Sequence, residues 1–167
     1  SLLGIGERTG NCPLEAMAVE YCSLRGRNDG MKLSVLTEIA EYFQKEIGYE
    51  IPPQTPFMGE AFCTTRAGIH ADGLLKDEHI YSIFDTQALL GRPSEVLVDA
   101  HSGLAGIAFW MNRHMGLSLD KKSPVVARVK DAVDALYDGG RTTVMSGDEL
   151  TALANAALAE EARLENN

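Results

Sequence analysis

Apolar residues recur at three- and four-residue steps along most of the chain, a period that admits little besides packed helices. Leu14, Met17, Ala18, Tyr21 and Cys22 form one series, ended by Gly26. Leu33, Leu36, Ile39, Ala40, Phe43 and Ile47 form a second, ended by Gly48. A short helix is predicted over Ala67 to Lys76, weakened by Gly73, and another helical turn at Thr86 to Leu90. Further helices are expected behind Ser102, burying Leu104, Ile107, Ala108 and Met111 and ending by Gly116, behind Ser123-Pro124, and behind the capping box Ser146-Gly-Asp-Glu149. Asn11 and Ser102 are read as caps of the helices that follow them. Glu95-Val96-Leu97-Val98 alone has the short, β-branched character of a strand. The expected class is therefore mainly α, α+β at most, with about six helices.

The segment Ile51 to Pro56 holds three prolines and is the best linker candidate.

Charge narrows the function classes. The 15 Lys and Arg face 24 Asp and Glu, a formal net charge of −9, and a nucleic-acid binder needs a basic face instead. No apolar run approaches the roughly 18 residues that a membrane span requires. The three cysteines, Cys12, Cys22 and Cys63, form no C-x-x-C pair, which argues against a structural zinc site or a disulfide scaffold. No charged n-region or apolar h-region opens the chain, and a cytoplasmic protein is expected. A glycine-rich loop ordinarily follows a strand, yet here only Ser1-Leu2-Leu3 precede it, so the chain is expected to be a piece of a larger protein.

Two segments concentrate polar groups beside glycines. The first is Gly4-Ile5-Gly6-Glu7-Arg8-Thr9-Gly10-Asn11. It lacks the Gly-Lys-Ser/Thr ending of a phosphate-cradling loop and the spacing of a dinucleotide loop. Asn11 offers an amide oxygen suited to a hard cation or a hydroxyl, and the bland alternative is a turn whose Asn11 only caps the next helix. The second is Thr64-Thr65-Arg66-Ala67-Gly68-Ile69-His70-Ala71-Asp72-Gly73, with Tyr81 eleven residues beyond His70. His70 can move a proton near neutral pH, and Asp72 could orient it. A helical histidine is more often a surface or satisfied core residue.

Together the two motifs, followed by His101-Ser102-Gly103, resemble the 2-isopropylmalate, homocitrate and citramalate synthase family over most of the chain. The resemblance implies a Claisen-type condensation of acetyl-CoA with a 2-oxo acid, followed by thioester hydrolysis, in amino-acid biosynthesis. It implies a TIM barrel with a divalent metal (zinc, magnesium or manganese) at its mouth, followed by helical subdomains, and a homodimer. By that resemblance residues 1–50 are the closing loop and helices of the barrel, 54–92 a subdomain presenting His70, and 93–167 a second subdomain. Glu7, His70 and Tyr81 are the implied catalytic residues. Arg8 and Asp72 brace or orient, and Asn11 lies in or beside the metal shell.

The departures matter equally. The chain has no His-x-His pair of the kind the family's barrel carries as metal ligands, so the isolated piece is expected to be inactive. Leu104-Ala105 follow His101-Ser102-Gly103 where leucine-pathway members more commonly have basic and histidine residues. That leaves homocitrate- and citrate-forming relatives open. The competing reading from another class is a non-catalytic helical interaction module.

Overall fold

A computed structural model of the chain describes residues 1–77 and 79–165. After a 3-10 turn at Leu2–Gly4 come α1 (Leu14–Arg25), α2 (Val35–Lys45), β1 (Thr64–Thr65), α3 (Gly68–Lys76) and α4 (Thr86–Leu90). They are followed by β2 (Glu95–Val96), α5 (Leu104–Met115), α6 (Pro124–Asp138) and α7 (Gly147–Glu165). The chain is mostly helical, as its periodicity requires.

It packs as two compact units: residues 1–63 with 84–94, and residues 64–83 with 95–167.

The first unit closes around Val19, Leu36, Ala40, Ile51, Phe57, Met58 and Leu90. Full burial of each large apolar side chain contributes about 1.5–3 kcal/mol. Thr37 Oγ1 donates to the Leu90 carbonyl at 2.6 Å and ties α2 to α4. Arg92 donates to the carbonyl of Gly59 at 2.8 Å and to that of Phe57. The proline-rich stretch is not an open linker here, because Ile51 is 3% exposed and turns bond Thr55, Met58 and Gly59 onto one another. On α1 the apolar series is turned the other way from a simple core face: Leu14, Met17 and Leu24 are exposed, whereas Glu15 and Val19 are buried.

The second unit is built on α5, which packs against α3 on one side and α6 on the other, with α7 closing over α6. Ile107, Met111, Val126, Val129, Val133, Leu150 and Ala154 fill the space between α5, α6 and α7. Ala71 and Leu74 of α3 meet Ala105 and Phe109 of α5. β1 and β2 pair in parallel, Thr64 opposite Glu95 and Thr65 opposite Val96. The expected strand at 95–98 is thus shortened, and its partner Thr64–Thr65 was concealed by a polar sequence.

Two expected caps are corrected. Pro13 stands at the N-cap of α1 and no side chain caps that helix, so Asn11 does other work. Ser102, 2% exposed, accepts from the Asp99 N–H and donates to the Leu97 carbonyl, so it fastens the turn ahead of α5 rather than capping the helix, whose N-cap is Gly103. The capping box forms as read: Glu149 N–H donates to Ser146 Oγ, and Ser146 N–H donates to Glu149 Oε2 at 2.8 Å.

Candidate active site

The residues singled out in the sequence divide between the units. Glu7, Arg8 and Asn11 belong to the first, and His70, Asp72 and Tyr81 to the second.

The Glu7 loop is drawn tight by its own backbone. Gly10 N–H donates to the Glu7 carbonyl at 2.9 Å and Asn11 N–H to the Gly4 carbonyl at 2.8 Å. Gly10 sits at φ +90°, and a Cβ there would lie 2.5 Å from the Gly4 oxygen, so only glycine closes this loop. The Asn11 carboxamide lies against Gly6, where a Cβ would come 2.9 Å from its Cγ. Asn11 Nδ2 donates to the Ile5 carbonyl at 3.1 Å. Its Oδ1 is left with no protein partner among the described residues. Glu7 and Arg8 form an exposed pair at 3.7 Å, 90% and 87% accessible, which contributes little to stability. Both are open to a ligand.

A residue absent from the sequence reading anchors this loop. Glu15 is 1% exposed, and its Oε2 accepts from the Leu3 N–H at 3.0 Å. Leu3 has φ +55°, a conformation costly for a branched side chain. A first-turn glutamate on a helix normally reads as a solvated partner of the helix dipole, so its burial left no signal in the sequence.

In the second unit, α3 ends at Lys76 and the chain reverses through a turn at 79–81. A continuous helix would have carried Tyr81 roughly 16 Å from His70. The reversal instead brings the two rings to 4.6 Å between centroids, tilted by 51°. His70 Nδ1 lies 3.2 Å from Thr65 Oγ1 on β1. With Nδ1 occupied by the threonine hydroxyl, Nε2 of this exposed ring is the nitrogen open to exchange a proton with a ligand.

Asp72 does not reach the imidazole as its hydrogen-bond partner. Its carboxylate accepts from Lys76 Nζ at 2.7 Å and from Lys121. Lys121 first, then Lys76, hold its pKa down at about 2, so it stays ionised through the working range of pH. Asp72 in turn raises the Lys76 pKa. The other histidines have separate neighbours: His79 faces Asp77, the His101 N–H donates to Asp99 at 2.8 Å, and His114 meets Glu95 at 3.0 Å while stacking on Trp110. No group of three or more His, Cys, Asp or Glu side chains converges as a metal site among the described residues. No described helix is long and apolar enough to cross a membrane.

His70 and Tyr81 thus form an exposed histidine–tyrosine pair beside a helix. Comparison places the chain among known proteins. It is 52% identical to the citrate (Re)-synthase of Clostridium kluyveri over 164 residues, 96% of this chain and 36% of that protein. It is 47% identical to the citrate (Re)-synthase of Syntrophus aciditrophicus over 156 residues, 91% of this chain and 25% of that protein. It is 38% identical to the 2-phosphinomethylmalate synthase of Streptomyces hygroscopicus over 161 residues, 95% of this chain and 36% of that protein. No family model matches. Citramalate, 2-isopropylmalate and homocitrate synthases are also among its relatives, and the chain belongs to their family; it spans a quarter to about a third of the length of the three relatives described above.

Proposed function

We propose that the chain is part of an enzyme that condenses acetyl-CoA with a 2-oxo acid and then hydrolyses the thioester. The pairing of His70 with Tyr81 at 4.6 Å, in the motif shared with the family, is the observation that carries the reading. In that reaction the acetyl methyl group loses a proton, the carbanion adds to the 2-oxo carbonyl, and the resulting alkoxide takes up a proton. His70 Nε2 and the Tyr81 hydroxyl are the groups that hold and deliver protons during these steps, with Thr65 fixing the imidazole from behind. Glu7, exposed on its loop, positions the acetyl group or the 2-oxo acid, and Arg8 braces it. Asp72, locked between two lysines, acts on the fold of this site rather than as a proton carrier.

Asn11 fits a divalent metal to the extent of one oxygen, because its Oδ1 is unengaged while Nδ2 is spent on Ile5. Zinc, magnesium or manganese bound there would polarise the 2-oxo carbonyl. A catalytic metal needs about three protein ligands, so the remaining ones belong to other parts of the enzyme. The exposed Leu14, Met17 and Leu24 on α1 support a role for residues 1–50 as the closing piece of a barrel, with the two later segments as helical subdomains of a cytoplasmic homodimer.

The identity of about half with two citrate (Re)-synthases favours a four-carbon 2-oxo dicarboxylic acid as the acceptor and citrate as the product. A panel of oxaloacetate, pyruvate, 2-oxoisovalerate and 2-oxoglutarate with acetyl-CoA, read by release of free thiol from the full-length enzyme, tests this. Oxaloacetate should be turned over fastest. Preference for 2-oxoisovalerate would transfer the chain to the 2-isopropylmalate branch, and no thiol release with any acceptor would sink the condensing reading.

A further inference from the structure

Gly73 is an expensive residue to place inside α3, since glycine costs backbone entropy in a helix interior. It is buried, and it does not need an unusual backbone conformation, so conformational freedom does not account for it. What accounts for it is the space above its Cα. A Cβ built there would fall 2.8 Å from Tyr81 Cδ2 and from Ile80 Cγ2, and closer still to Tyr81 Cε2. The tyrosine ring rests on the bare helix backbone, one turn from His70 on the same helix. Tyr81 is itself 53% exposed, so little else confines that ring.

We infer that Gly73 is a positioning residue: its missing side chain is the seat that holds the Tyr81 ring against His70. The inference rests on the proposed proton-transfer role of that pair for its catalytic consequence, though not for its geometry. A methyl group at position 73 would strengthen the helix and at the same time push the ring off its seat. The loss of activity therefore depends on the Tyr81 ring, whereas a purely structural role for the glycine would cost stability with or without that ring.

The test uses the full-length enzyme carrying this segment, with histidine labelled by 13C at Cε1 and the His70 resonance assigned through His70→Ala. Gly73→Ala should move the His70 Hε1 signal to the position it takes in Tyr81→Ala, because the ring current of Tyr81 is withdrawn. It should lower kcat at least 10-fold with little change in KM for the 2-oxo acid. In a Tyr81→Ala background the same substitution should leave kcat unchanged and the melting temperature at or above that of Tyr81→Ala alone. An unmoved His70 signal in Gly73→Ala overturns the inference, as does equal destabilisation with and without the Tyr81 ring. If the signal moves while His70→Ala retains full kcat, the seat stands and the catalytic reading of the pair falls.

Discussion

The carboxylate of Glu15, buried in the first turn of α1, accepts a hydrogen bond from the backbone N–H of Leu3 at 3.0 Å. Together with the bond from Leu14 N–H to the Ser1 carbonyl at 2.8 Å, it joins the helix to the start of the Glu7 loop, and it satisfies a donor on a residue at φ +55°. Glu15→Ala should leave that N–H without its partner and cost roughly 1–3 kcal/mol, whereas Glu15→Gln, which keeps an acceptor oxygen, should cost less. Urea unfolding midpoints of the two variants test the ordering. Equal stability of Glu15→Ala and the parent would mean that water replaces the carboxylate freely.

If His70 and Tyr81 serve proton transfer, His70→Ala in the full-length enzyme should lower kcat by roughly 10²–10⁴-fold. The fold should survive, since His70 is exposed and alanine is the better helix former. KM for the 2-oxo acid should change little. Thr65→Val, which removes the hydroxyl 3.2 Å from Nδ1, should cost less in kcat than His70→Ala. Steady-state kinetics beside a thermal melt for each variant decides the matter. An unchanged kcat in His70→Ala would make the histidine structural.

Arg92 bonds the carbonyls of Phe57 and Gly59, in a loop where Phe57 holds φ +64°. Arg92→Met keeps much of the stem and removes the charged donors, and should destabilise the first unit by about 1.5–3 kcal/mol. Denaturant titration measures it. A midpoint equal to that of the parent would show that the two carbonyls are satisfied by solvent.

The capping box of α7 predicts an acid limb in stability. Arg141, with help from Ser146, holds the Glu149 pKa at about 2, below its ordinary 4.5. A lowered folded-state pKa contributes stability above the unfolded value and loses it as pH falls through the folded one. The window therefore runs from about pH 4.5 down to 2, and Asp72, also held at about 2, adds to the same limb. Glu149→Gln should lower the melting temperature at neutral pH and flatten its decline across that window. Parallel melting curves for the variant and the parent between pH 5 and 2 would show that the pair is screened by solvent.

The helices were legible in the sequence because their signals are local. The three- and four-residue apolar period, the glycines after α1 and α5, Pro124 at the start of α6 and the Ser146–Glu149 box each act within a turn or two of chain. His70 and its helix were legible for the same reason. The surroundings of His70 were not. Thr65 becomes its neighbour because β1 pairs with β2 thirty residues later in the chain, and Tyr81 because the chain reverses after Lys76. Nor could the sequence distinguish a buried Glu15 from a solvated one, or reveal that Asp72 turns to Lys121, forty-nine residues away, instead of to the imidazole. Helix formation is decided by residues within one turn of each other. The partner of a side chain is decided by which surfaces pack, and that follows from burying the whole set of apolar faces at once.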